Sequence, residues 1–106
     1  MTHILVSGHI NIETTLQIDG FPYQYTPVRY PFFGVNSTVA GVGYNIAKAL
    51  TTLGDEVSLL SIIGDDPAGM LVRDALTSEG IDDSGVVASM PQTCGSVILY
   101  DSQGKR

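Results

Sequence analysis

The stretch AGVGYNIAKALTTLG, Ala40 to Gly54, decides how this chain is read. Gly41 and Gly43 stand directly before a run in which Ile46, Ala47, Leu50 and Leu53 recur at helical spacing, and Gly54 is placed to end it. A helix that opens on glycines keeps its first amides clear of side chains, a geometry suited to a hydroxyl or an anion. Asn45, in the first turn, adds an amide that both donates and accepts. The spacing is not that of a dinucleotide site. The third glycine of a G-x-G-x-x-G pattern falls on Ile46, and FFGVNSTVA before the glycines is no clean buried strand.

Upstream, Ile4-Leu5-Val6 followed by Ser7-Gly8 lacks polar alternation and reads as a short, central buried strand. From Ile10 to Ile18 the pattern turns two-faced, with Ile10, Ile12, Thr14, Leu16 and Ile18 opposing Asn11, Glu13, Thr15 and Gln17. Asn11 and Glu13 at i and i+2 are either a solvated face or a pair of ligand groups leaving the end of a strand. GFPYQYTPVRYPFFG, with three prolines and many aromatics, is extended but interrupted, as edge strands and loops are. Its Tyr23, Tyr25, Tyr30, Phe32 and Phe33 read as packing residues.

Downstream, Val57 to Ile63 returns to strand, and GDDPAG writes a second helix start in which Asp65 or Asp66 caps and Pro67 suits the first turn. Ala68, Leu71, Val72, Ala75 and Leu76 form its apolar stripe, and Gly80 ends it. Gly85 to Ala88 and Ser96 to Tyr100 read as strands, the latter a candidate partner for the β excursion, before a turn at Asp101 to Gly104. The order predicts an α/β fold, a parallel sheet with flanking helices and a small β appendage.

The 106 residues suit one domain with a modest core, and five Lys and Arg against 11 Asp and Glu give a net charge of −6. Such scattered cations build no phosphate-tracking surface, so nucleic acid is not an expected partner. Cys94 is the only cysteine, which excludes an intramolecular disulfide and fits a reducing cytoplasm. No run of about 18 apolar residues occurs, and no basic stretch precedes the first apolar one, so the expectation is a chain neither secreted nor membrane-spanning. His3 and His9 have no acid or nucleophile beside them in sequence and are given no catalytic part.

The run AGVGYNIAKALTTLGDEVSLLSIIG resembles the first signature of the ribokinase-like, or PfkB, carbohydrate kinase family, with Ala40, Gly41, Gly43, Asn45, Ala47, Gly54 and Gly64 at the family spacing. The resemblance runs from GHINIE, through GDDPAGMLVRDALTSEGID, to TCGSVILYDSQGKR. It implies a ribokinase-like fold, residues 1–106 being the N-terminal part of a sugar kinase domain with a β lid near residues 10–36 and 95–106. It also implies a substrate site of Asn11, Glu13, Gly41, Val42, Gly43 and Asn45 that holds the hydroxyls of a sugar or nucleoside. Two positions depart from the pattern: the usual Asp is Glu13, one methylene longer, and a basic residue common after the first loop glycine in ribokinases is Val42. Ribose is therefore not implied, and adenosine kinase-like and fructose kinase-like substrates stay open.

Phosphoryl transfer also needs a nucleotide cradle, a metal with its ligands and a base for the attacking hydroxyl. In the resembled family these lie in the later half, so ATP and Mg2+ are expected for the parent kinase, while this chain alone has no catalytic or metal residue and transfers no phosphate. The family's lid implies a homodimer. The alternative is a non-catalytic module that binds a sugar or nucleoside, or dimerises.

Overall fold

The computed structural model describes residues 2–106, arranged as β1 (His3–Ser7), β2 (Asn11–Gln17), β3 (Val35–Ala40), α1 (Val42–Thr52), β4 (Glu56–Gly64), α2 (Pro67–Glu79), β5 (Val86–Met90) and β6 (Gly95–Tyr100). β1, β4 and β5 form a parallel sheet in that order, with Ile4 beside Val57, Val6 beside Leu59 and Ser61 beside Val86. The residues that alternate inward along these strands, Val6, Val57, Leu59, Ile63 and Val86, meet Tyr44 and Ala47 of α1 and Val72 and Leu76 of α2 in one core. Parallel strands need such crossover helices, and both helices here cover the same face.

The central strand of this sheet is β4, not β1. The first strand stands at the edge, and its Leu5 is exposed on the face away from the helices. The apolar run of β1 thus marks a strand meant for burial on two faces, whichever its place in the order.

α1 begins where Gly41 takes φ 104°, a left-handed value that only glycine adopts cheaply. Its buried side is Gly43, Tyr44 and Ala47, joined by half-buried Leu50. Ile46 and Leu53, expected on the apolar stripe, are exposed, because the face that meets the core is the one carrying Tyr44, Ala47 and Leu50. α2 starts as its sequence predicts: Asp66 accepts the Gly69 amide at 2.9 Å, Pro67 follows, and Gly80 ends the helix in the left-handed region. Val72 and Leu76 are fully buried, whereas Leu71 is exposed.

The β excursion is a second sheet of order β3-β2-β6. β2 runs parallel to β6, Ile12 beside Gly95 and Gln17 beside Tyr100, so the expected partner strand is the observed one. β3 pairs antiparallel with β2, Asn11 beside Ala40 and Leu16 beside Val35. Its sequence VNSTVA reads as irregular because most of its side chains are exposed, and the strand is held by backbone pairing rather than by apolar alternation. The two-faced reading of β2 holds at its flanks, where Ile10 and Ile18 are buried, while the strand between is half-buried on both faces. Ile12 and Val39, on one face of this sheet, pack against the core of the other.

Candidate functional site

In the second sheet, Asn11, Glu13 and Thr15 share the face of β2 opposite to Ile12. The ladders place Thr38 of β3 and Ser96 of β6 on either side of Glu13, and strand alternation puts all of these on that same polar face. Asn11 is not part of a solvated surface: it is buried, and its side-chain amide donates to the Ser96 hydroxyl at 2.8 Å. Glu13 is half-buried.

Asn11 faces Ala40 across the ladder, so Gly41 follows directly beside it. The glycine turn is packed against the link between β1 and β2. A methyl group on Gly41 would stand 2.5 Å from the His9 carbonyl oxygen, and one on Gly43 would stand 2.5 Å from the Gly8 carbonyl carbon. The His9 carbonyl in turn accepts the Gly43 amide at 3.0 Å and the Tyr44 amide at 3.4 Å. The amides of Gly43 and Tyr44 are therefore engaged within the chain, where the sequence led to an expectation of open helix amides. The absence of side chains serves backbone-to-backbone approach here, and it draws α1 to the start of β2.

Val42 and Asn45 complete the first turn of α1, and both are exposed. The Asn45 backbone amide donates to the Gly41 carbonyl at 2.9 Å, and no side chain caps this end of the helix. The structure thus gathers Asn11, Gly41 and Gly43 at one corner, with Glu13 two residues along β2 and Asn45 on the adjoining helix face. Ser96 and Thr38 escaped the sequence reading, since only the strand register reveals that they flank Glu13.

A second polar cluster lies at the loop from β4 into α2. Thr93 is buried; its amide donates to Asp66 Oδ2 at 2.9 Å, its hydroxyl donates to Asp66 Oδ1 at 2.6 Å, and that hydroxyl accepts the Gly64 amide at 2.9 Å. These bonds, the Thr93 hydroxyl first, hold the Asp66 carboxyl below its ordinary value. Asp66 is occupied as a cap and clamp, and Asp65 is exposed. At the opposite end of the sheet Ser58 donates to Asp82 at 3.0 Å, and His3 Nε2 contacts the Ser58 hydroxyl at 3.0 Å. Bonds from Ser84 to its carboxylate, with help from Ser58, lower Asp82 as well. Among the described residues no group of three His, Cys, Asp or Glu side chains is arranged to hold a metal ion, and no helix is long and apolar enough to cross a membrane.

The parallel three-stranded sheet with both helices on one face, and the second three-stranded sheet that meets it at the glycine turn, match part of the fold of ribokinase-like kinases. The chain superposes with a TM-score of 0.83 on a microbiome-derived acarbose kinase, 24% identical over 99% of this chain and 34% of that one. It superposes with a TM-score of 0.74 on the ribokinase of Cryptococcus neoformans in complex with ADP, 27% identical over 99% of this chain and 32% of that one. In sequence it is 31% identical, over 99% of its length and 35% of the relative's, to the ATP-dependent ribose-1-phosphate kinase of Halopiger xanaduensis. The chain belongs to the pfkB family of carbohydrate kinases, whose profile matches residues 1–106. It spans about a third of the length of the curated relatives it matches over nearly its whole extent.

Proposed function

We propose that this chain is the substrate-binding and lid portion of an ATP-dependent carbohydrate kinase that phosphorylates a hydroxyl of a sugar or nucleoside. The observation that carries the reading is the family match across the entire chain, which includes the glycine turn and Asn45. The structure adds a polar corner at the junction of the two sheets, where Asn11, Gly41 and Gly43 adjoin. In this reading Asn11 and Glu13 bind substrate hydroxyls from the lid strand, Asn45 binds one from the helix, and the Gly41-Val42-Gly43 turn lets the ligand approach the backbone. The longer reach of Glu13 sets which hydroxyl is held.

ATP supplies the phosphoryl group in such kinases, and Mg2+ neutralises the phosphates. The described residues do not fit either group. They hold no metal-ligand cluster, and the amides of Gly43 and Tyr44 are already engaged by His9. The nucleotide, metal and base sites are assigned to the part of the kinase outside these residues, and the 106-residue chain alone transfers no phosphate. An ATP-consumption assay with a sugar and nucleoside panel, run on this chain and on the full-length kinase, tests that division. Turnover by the chain itself refutes it, and an inactive full-length product favours a binding module.

The site is tested by titrating the same panel into the full-length kinase and into Asn45→Ala and Glu13→Ala. Each variant should weaken the preferred ligand by about 1–3 kcal/mol, the cost of leaving a buried ligand hydroxyl unpaired. Unchanged affinity in both would exclude the site.

A further inference from the structure

A cavity of about 450 Å³ lies in the aromatic segment between β2 and β3, lined by Asp19, Phe21, Tyr23, Gln24, Thr26 and Arg29 among others. Its volume falls within the range of small-molecule sites. It stands beyond Gln17, the end of β2 far from Asn11; six residue steps of about 3.3 Å put it roughly 20 Å from the glycine corner. It is a different place from the sugar site proposed above and does not depend on it.

The unusual group in it is the Arg29 guanidinium. Only 24% of this side chain is exposed, and its Nε is buried with no hydrogen-bond partner. Its nearest acid is Asp19, whose Oδ1 is 3.6 Å from Nη2, beyond hydrogen-bond range, on a side chain that is 96% exposed. Such a pair is worth little, because solvent screens it and the exposed carboxylate is free to swing away. An Nε–H held out of water without an acceptor is costly in a fold, and the planar fork of Arg matches two oxygens of a carboxylate or phosphate. Of the cations on the helices, Lys48 of α1 pairs with Glu79 and Arg73 of α2 with Asp83. Lys105, from the chain beyond β6, stands over the Phe21 ring, 5.9 Å from its centroid. Arg29 is the one cationic side chain that lines this polar cavity, in a chain whose net charge is −6.

We infer that this cavity is an oxyanion site in which Arg29 binds a phosphoryl or carboxylate group of a small metabolite, with Asp19 as an internal competitor that the ligand displaces. The Tyr23, Gln24 and Thr26 side chains around Arg29 carry the polar groups that would select the remainder of the ligand.

Inorganic phosphate and acetate, titrated separately into the full-length kinase and followed by amide chemical shifts, test the site and distinguish the two chemistries. Shifts should centre on residues 19–29. Arg29→Gln should weaken binding about tenfold or more, and Arg29→Lys, which keeps the charge but loses the fork, should weaken it as well. Asp19→Asn should act in the opposite sense and tighten binding; since Asp19 is almost fully exposed, that variant keeps the fold intact and guards against a misfolded Arg29 variant. Shifts centred elsewhere, no response to either anion, or an Asp19→Asn protein that binds no more tightly than the original would each overturn the inference.

Discussion

Gly43 shows how a single hydrogen atom fixes the junction between the two sheets. Its backbone approaches Gly8 so closely that a methyl group would overlap the Gly8 carbonyl, and no flexible side chain lies there to give way. Gly43→Ala should therefore lower stability by about 1–3 kcal/mol or more, as overpacking of a rigid contact does; a melting temperature equal to that of the parent would show that the link between β1 and β2 shifts freely. Thr93 is the second such residue. Thr93→Val keeps the shape but removes the acceptor of the buried Gly64 amide, at a cost of about 1–3 kcal/mol. The same change bears on acid stability. Asp66 is held below its ordinary value of 3.8 chiefly by Thr93, so in the native protein it binds fewer protons than in the unfolded chain as the pH falls through that value. Its contribution is fully present above 3.8 and drains away as the pH drops toward and below the lowered native value. Urea midpoints measured down an acid series should thus fall less steeply for Thr93→Val than for the parent. Parallel curves would remove Asp66 from the acid response.

At the level of elements, what could be read from the sequence was whatever carries its own local chemistry. α2 is written out in full by Asp66, Pro67 and Gly80, and β4 by a mostly apolar run from Val57 to Ile63, because caps and burial act over a few residues. β3 is unreadable for the converse reason: VNSTVA places its first four side chains in solvent, and the strand pairs with β2 alone. The glycine turn was recognised from its residues, but its closeness to Gly8 and His9 depends on a contact across more than 30 positions that no local pattern encodes. Ser96 beside Asn11 is likewise a product of register. These differences in support predict an order of opening. Amide hydrogen exchange should be slowest in β4, which is paired on both edges and buries Leu59 and Ile63, and fast in β3, an edge strand with exposed side chains. Equal protection in the two strands would mean that the second sheet is tied to the core more firmly than its burial implies.

At the scale of the whole molecule, the radius of gyration of 16.1 Å exceeds the roughly 13 Å expected for a compact chain of this length, because the second sheet projects from the first. The more consequential feature is the face of the parallel sheet turned away from both helices. Leu5 of β1, Leu60 and Ile62 of β4 and Val87 of β5 alternate onto that face, and their exposures run from 39% to 62%. Parallel sheets are covered on both sides in folded proteins, so this layer is a surface that water does not tolerate over a large continuous area. β1 and β5 add unpaired backbone edges beside it. The isolated 106-residue chain should consequently self-associate through this face, seen as concentration-dependent sedimentation together with binding of a hydrophobic dye. Ile62→Glu and Val87→Glu, at exposed positions outside the core, should suppress both signals without unfolding the chain. A parent chain that sediments as a monomer at all concentrations and leaves the dye dark would mean that the exposed apolar layer is too small or too broken by Ser7 and Ser58 to drive association.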